Sequence, residues 1–526
     1  MKIRTIVILF LFLSVYVKAQ RADAELSNIH YTWQIINGFY VDSVDKQMIS
    51  REAIVSMLKK LDPHSVFIPS EEVQESKAQL DGNFEGVGVE FVIMNDTLTV
   101  VNAIIGGPSE KVGITAGDRI VSIDGQNVAS VGLKNSDVFK YLRGDKGTVV
   151  ELTILRRGEK NLLHFKVKRD KIPIHSIDAA YMLTPKTGYI KISRFSLTTY
   201  DEFSTELKKL KKSKAQNLIL DLRGNGGGYM QAALDIADDF LDGNKMMLYT
   251  QGNLSPLQLY NSTNGGLWEQ GRLIILIDES SASASEIVSG AVQDYDRGII
   301  MGRRSFGKGL VQRIFPLPDK SEVRLTTAKY YTPSGRCIQK PYSDDSKEYR
   351  NEIKTRYEHG EFTNPDSIQL NSDQQYKTKV NNRNVYGGGG IMPDVFVPLD
   401  TSMITNFYRN LISSGVYNQF MMTYLDNNRS LFTAKYKNFE QFNTQFNVDE
   451  DFFNLLLIEA QNKDIETEME EVDVSKPFIK LLMKSYIARN LWSSNEYFQI
   501  MNTTFPIIQQ AVDLIENKAD YELVLK

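Results

Sequence analysis

Hydrophobic spacing changes character along the chain. Ile29, Trp33, Ile36 and Phe39 recur at three- and four-residue intervals, followed by Ile49, Ile54 and Leu58. This spacing predicts helices over 22–57 that stop at Asp62-Pro63. His64 sits in the loop that follows and reads as a solvated loop histidine. From Gly82 to Arg169 the period shortens to two, which predicts strands over 87–93, 97–101, 119–123 and 149–156, separated by Gly-Gly-Pro, Ala-Gly-Asp and Asp-Gly turns. From Lys171 to Pro398 apolar runs alternate with amphipathic stretches. Strands are predicted at 188–195, 218–222, 273–278 and 298–302, and helices at 200–212, 229–241 and 284–295. That alternation predicts an α/β core with a largely parallel sheet. The stretch 342–385 is polar and poor in aliphatic residues, and reads as a long surface insertion. After Ser402 helical stripes return, as in Phe478, Leu481, Leu482, Ile487 and Leu491.

Length and charge narrow this picture. With 526 residues, 42% of them hydrophobic and 24% charged, the chain should divide into about three folded units. The 61 basic residues against 65 acidic ones include no long basic block, so nucleic acid is not an expected partner. Lys2 and Arg4, the apolar run 6–17 and Val17-Lys18-Ala19 form a signal-peptide pattern over 1–19. The run is too short for the ~20 residues of a membrane span. Export, to a bacterial periplasm, with no stable span after cleavage is therefore expected. Cys337 is the only cysteine, so the fold must rest on its core without an internal disulfide. Five scattered histidines and that cysteine offer no metal-ligand pair at helical or turn spacing.

The β-rich stretch carries Gly106-Gly107-Pro108, then Gly113-Ile114-Thr115-Ala116-Gly117-Asp118-Arg119-Ile120, Asp124-Gly125 and Leu142-Arg143-Gly144. These segments resemble a PDZ domain of the bacterial protease type, covering 79–169. The resemblance implies that a substrate tail adds as a strand while backbone amides hold its carboxylate. Gly86, Val87, Gly88 and Val89 would supply those amides, since glycine lets a loop turn its N–H groups toward an anion.

Candidate chemistry lies in Asp278-Glu279-Ser280-Ser281-Ala282-Ser283-Ala284-Ser285-Glu286 and, after a helix, Phe306-Gly307-Lys308-Gly309 with Gln312. Separately, a serine before a helix reads as an N-cap and a lysine between glycines as a turn residue. Together they offer a hydroxyl at a strand-to-helix turn, a base and amide donors, the requirements of serine acylation. No histidine lies near either segment. A lysine can serve as base when burial lowers its pKa toward neutrality.

With the turn Asp221-Leu222-Arg223-Gly224-Asn225-Gly226-Gly227-Gly228 and the segment Gly388-Gly389-Gly390-Ile391-Met392-Pro393-Asp394, these residues resemble the carboxyl-terminal processing, or tail-specific, proteases over most of 30–398. The resemblance implies Ser283 as nucleophile, Lys308 as general base and Gln312 as the residue orienting the lysine. It also implies an oxyanion hole from the N–H groups of Ala284 and Gly227. Glu286 reads as structural, a carboxylate favourable at a helix N-terminus. The implied organisation is a helical region over 20–78, the PDZ domain over 79–169, a serine protease core over 170–400 and a helical region over 401–526. The tail, without visible chemistry, leaves packing, substrate guidance and dimerisation open, and with them a second copy or an adaptor protein as partner. Expected substrates are proteins or peptides with apolar C-termini, cleaved as by an endopeptidase with no metal or organic cofactor.

Two rival readings meet obstacles in the residues. Gly302 to Lys308 fits a phosphate-binding loop up to its lysine, but Gly309 replaces the magnesium-binding Ser or Thr, and a strand with Pro316 follows instead of a helix. A PDZ scaffold that binds C-termini without cutting is the alternative from a different class, and both members of the dyad it would dispense with are present.

Overall fold

Runs such as Asn217–Asp221 and Arg272–Ile277 are buried at nearly every position, the pattern of strands covered on both faces. They form the middle of a six-stranded sheet in the computed structural model, which describes residues 24–94, 96–104, 106–342, 346–368 and 372–526. The sheet runs Ile177–Met182, Thr187–Ile192, Asn217–Asp221, Arg272–Ile277, Ile299–Gly302, Val395–Phe396. Its first pair is antiparallel and the other four are parallel. Side chains alternate between the faces. Ile190, Leu218, Leu220 and Ile275 pack with the helices Thr199–Lys212, Met230–Asp238 and Ala284–Asp294. Tyr189, Ile219, Ile274 and Leu276 face the opposite way.

The largely parallel sheet expected for the core describes that layer alone and is corrected for the molecule as a whole. A second core sheet, Val66–Ile68, Glu322–Tyr331, Met246–Gln251 and Gln258–Asn261, with Leu310–Pro316 also paired to Glu322–Tyr331, is antiparallel throughout. Short connections at 252–257 and 317–321 impose this on two of the four pairs, because strands joined by tight turns can pair only antiparallel.

Five antiparallel strands in the order Val89–Met94, Thr97–Ala103, Arg119–Ile123, Val149–Leu155, Leu163–Lys168 form the β-rich module around its own core. The module is inserted through a two-stranded stalk, Asn83–Gly86 against Asp170–Pro173. Val89–Met94 is an edge strand, and the helix Asn135–Leu142 lies beside it across a groove.

The C-terminal helices divide into two parts with different tasks. Asn406–Ser413 through Met469–Leu491 build a core of their own, in which Val472, Ile479, Met483 and Ile487 form the buried face of the longest helix. Pro506–Glu516 and Lys518–Leu525 instead place Ile507, Ile508, Ala511, Ile515 and Tyr521 over the second face of the six-stranded sheet. Tyr521 Oη also bonds the backbone of Leu273, at 3.0 Å to its N and 2.9 Å to its O. The last two helices thus belong to the core layer, and packing is what this part of the tail does.

The polar stretch 342–385 is more than a surface insertion. Its helix Ser346–Glu358 buries Tyr349 and Arg356, and Arg356 donates to the carbonyls of Arg304 and Ser305. The N-terminal helices Ala24–Phe39 and Lys46–Lys59 match the predicted helical stretch, with the chain breaking between them. The signal-peptide reading of 1–19 lies outside the described residues. Among the described residues no helix is long and apolar enough to cross a membrane.

Candidate active site

The strand Arg272–Ile277 ends in a tight turn. Ser281 donates from its N to Asp278 O and from Oγ to Leu222 O, and Ala282 N donates to Asn225 O. The next residue, Ser283, has φ 55° and ψ −109°. An L-residue in this left-handed region costs on the order of 1–3 kcal/mol and persists only where its surroundings fix it. Glu286, one turn into the helix Ala284–Asp294, supplies that restraint by accepting from Ser283 N at 2.8 Å. The result is a sharp strand-to-helix bend that presents the Ser283 side chain to a cleft of about 780 Å³.

Glu286 does more than begin a helix. It is fully buried, and Oε2 also accepts from Lys308 N at 2.9 Å, while Oε1 accepts from Gly307 N at 2.7 Å and from the Ser305 hydroxyl. One carboxylate therefore holds the backbone of both the serine and the lysine. Burial pushes its pKa up, opposed by these four donors. Sequence reading assigned it to the helix dipole alone. The Ser-x-x-Glu spacing of a capping box was the available signal, but it reports only the local half of the role.

Lys308 lines the same cleft. Burial first, and then the charge of Arg324, lower its pKa from the ordinary 10.5, with Glu286 and Asp62 opposing. Its Nζ donates to Gln312 Oε1 at 3.0 Å, and Gln312 Nε2 donates to His64 O at 2.6 Å, which fixes the amide. A register shift between Val311 and Gln312 interrupts the strand's alternation where this contact is made. Lys308 and Ser283 line the same cleft, but among the hydrogen bonds of the described residues none joins Nζ to the Ser283 hydroxyl. Gly307 permits the close approach of this loop to the closing glycine segment: its φ is +88°, and a Cβ there would stand 3.0 Å from Gly390 N.

His64 is not the solvated residue expected. Its ring bonds Tyr349 Oη at 2.7 Å, and burial, then Lys308, bring its pKa down to about 4. The insertion that supplies Tyr349 was not legible as part of the site.

The glycine turn 224–228 faces Ser283. Burial alone would raise the Asp221 carboxyl at its base, but Arg223 and Lys191 hold it below the usual range. Gly227 has φ +98°, and a Cβ there would lie 2.8 Å from Ser283 Cβ. Its N–H is committed to Asn225 Oδ1 at 2.9 Å. By contrast, no acceptor among the described residues takes the N–H of Gly228 or of Ala284.

In the β-rich module, Val87, Gly88 and Val89 line a pocket of about 190 Å³ with Phe84, Phe139 and Leu142. It adjoins a groove of about 770 Å³ between the edge strand Val89–Met94 and the helix Asn135–Leu142. Gly86 does not reach this pocket, because it pairs with Asp170 in the stalk and bridges Arg143. The guanidinium of Arg143 lies 4.5 Å from the Phe139 ring centroid at the pocket wall.

The model of peptidase family S41 matches residues 186–346, that of a PDZ domain 99–156, and that of a family of unknown function 407–493. The carboxy-terminal-processing protease of Bartonella bacilliformis is 35% identical over 324 residues, 61% of this chain and 74% of its own length. The carboxy-terminal processing protease CtpB of Bacillus subtilis is 34% identical over 321 residues, 60% of this chain and 66% of its own length. Among solved structures, the photosystem II D1 C-terminal processing protease is 28% identical with a TM-score of 0.34, covering 58% of this chain and 88% of that one.

Proposed function

Because the chain belongs to the carboxy-terminal processing proteases of peptidase family S41, we propose that it is a serine endopeptidase acting through Ser283 and Lys308 on proteins whose C-termini its PDZ domain captures. The observation that carries this reading is a half-buried lysine amine, clamped by Gln312, in the same cleft as a serine held on a strained turn. Burial favours the neutral amine, the form able to take a proton.

Ser283 Oγ attacks the scissile carbonyl while Lys308 Nζ takes its proton, a transfer that requires the two side chains to close up once substrate fills the cleft. The tetrahedral oxyanion is held by the N–H of Ala284 and one from the glycine turn. We assign that second donor to Gly228 in preference to Gly227, whose N–H is spent on Asn225. Collapse of the intermediate breaks the peptide bond, Lys308 returns the proton to the leaving amine, and an acyl ester remains on Ser283. Water, deprotonated by the same lysine, then hydrolyses the ester. The incoming tail adds to the edge strand Val89–Met94, with its apolar end in the pocket beside Val87, Gly88 and Val89. Export to a periplasm belongs to the same proposal and is checked by the N-terminal mass of secreted protein, expected to begin at Gln20.

The test is proteolysis of an unstructured protein with an apolar C-terminus. Wild type should cut it, whereas Ser283→Ala and Lys308→Ala should bind the tail without cutting. Turnover retained in either variant would contradict the dyad. Binding without turnover in wild type as well would favour a C-terminus-binding scaffold.

A further inference from the structure

The cleft that holds Ser283 is charged with one sign. Arg194, Lys308 and Arg324 line it, and among the described residues no aspartate or glutamate does. Lys308 is accounted for by Gln312. Among the described residues neither arginine has a carboxylate partner. Among the described residues Arg324 makes a single side-chain hydrogen bond, from Nη2 to the neutral Ser76 Oγ at 2.8 Å. The guanidinium of Arg194 bonds no described residue, and its Nε is buried without a partner. Both side chains are half-buried.

A guanidinium cannot discard its charge by losing a proton, and withdrawing it from water without an anion is costly. Two such groups in a cleft without acids make a receptor for a carboxylate that arrives with the substrate. We propose that Arg194 and Arg324 form a carboxylate subsite beside the scissile bond, so that the enzyme favours substrates bringing an Asp or Glu side chain, or their own chain terminus, to this point. The place of Arg194 gives the subsite a direction. Arg194 and Gln79 line both the cleft and the pocket beside Val87, Gly88 and Val89. Arg194 therefore stands where a tail runs from Ser283 toward the PDZ groove, on the leaving side of the scissile bond. This inference rests on the proteolytic reading of the cleft and deepens it by naming a substrate class.

Peptides of one sequence, carrying Glu or Gln in turn at each position between the cleavage point and an apolar C-terminus, test it in the full chain. A second set is amidated at the C-terminus. Wild type should prefer Glu to Gln by about fivefold in kcat/KM at one or two adjacent positions, the scale of a partly exposed charge-assisted hydrogen bond. If the chain terminus is the source, the preference should appear between free and amidated short peptides instead. In either case the ratio should fall toward one in Arg194→Gln or Arg324→Gln. Taking the ratio within each variant cancels any change in Lys308 or in the folded fraction. A ratio near one in wild type for both sets, or one that survives both substitutions, would overturn the subsite. The same pairs measured for binding to Ser283→Ala by fluorescence anisotropy separate the two claims. Discrimination there without turnover in wild type would overturn the proteolytic reading and leave the subsite standing; absence of discrimination would overturn the subsite itself.

Discussion

The cleft proposed for catalysis and the PDZ groove solve opposite problems with the same backbone groups. Around Ser283 the donors of the turn and of the lysine loop are spent inside the protein: Glu286 takes the amides of Ser283, Gly307 and Lys308, and Gln312 takes the amine of Lys308. Beside Ser283 the amides of Gly226, Gly228 and Ala284 find no acceptor among the described residues. In the groove the outer edge of Val89–Met94 is unpaired along its length, open to an added strand. Chemistry demands positions fixed before substrate arrives, so its polar groups are saturated except where charge will develop. The proposed tail capture demands tolerance of many sequences, for which main-chain edges left for the ligand to complete are suited.

This contrast predicts which changes are severe. Ser283→Ala and Lys308→Ala should each reduce turnover by about 10⁴-fold or more, with tail binding retained, measured as kcat beside anisotropy of a labelled apolar-tailed peptide. Glu286→Ala, which leaves four donors without an acceptor, should cost about 10²-fold in kcat and roughly 3 kcal/mol of stability, read from turnover and denaturant unfolding; a loss confined to stability would contradict its role in positioning the dyad. Gly88→Val acts on the other region. Gly88 has φ +76°, and a Cβ there would lie 2.9 Å from Ile172 Cδ1. KM for a tailed substrate should rise about tenfold, with a smaller change in kcat. The smallest effect is in pH dependence. Since Lys308 is held below its ordinary pKa, the neutral base accumulates as pH rises through that lowered value, and kcat/KM should climb to a plateau. Arg324→Gln removes a cation that opposes protonation, so the rising limb should move to higher pH; an unmoved limb would dissociate Arg324 from Lys308.

The two regions also differed in how far they could be read from sequence. Apolar runs bounded by turn residues placed the strands Asn217–Asp221 and Arg272–Ile277 within a residue or two, because a strand buried on both faces leaves little ambiguity. Serine, lysine and glutamine emerged from the resemblance, and the structure brings the three to one cleft. The long-range half of Glu286 was hidden, since a capping glutamate looks the same whether or not a distant loop closes over it. Tyr349 was hidden as well, because a polar segment with only a few buried apolar residues, Tyr349 and Phe362 among them, has the composition of a surface loop. For Gly227 and Gly228 the limit was resolution along the chain: three consecutive glycines do not show which amide a neighbouring Asn225 will consume. The division of the C-terminal helices was equally silent, since an apolar stripe on Pro506–Glu516 does not say whether it covers a sheet or another helix.

The most direct test of the dyad is covalent. A serine-directed sulfonyl or phosphonyl fluoride reacts fastest where a hydroxyl is activated by a base. Peptide mapping after treatment of wild type should place one adduct on Ser283, formed faster as pH rises, and Lys308→Ala should form it slower by orders of magnitude. An adduct elsewhere, or one formed on Ser283 at the same rate without Lys308, would contradict the account.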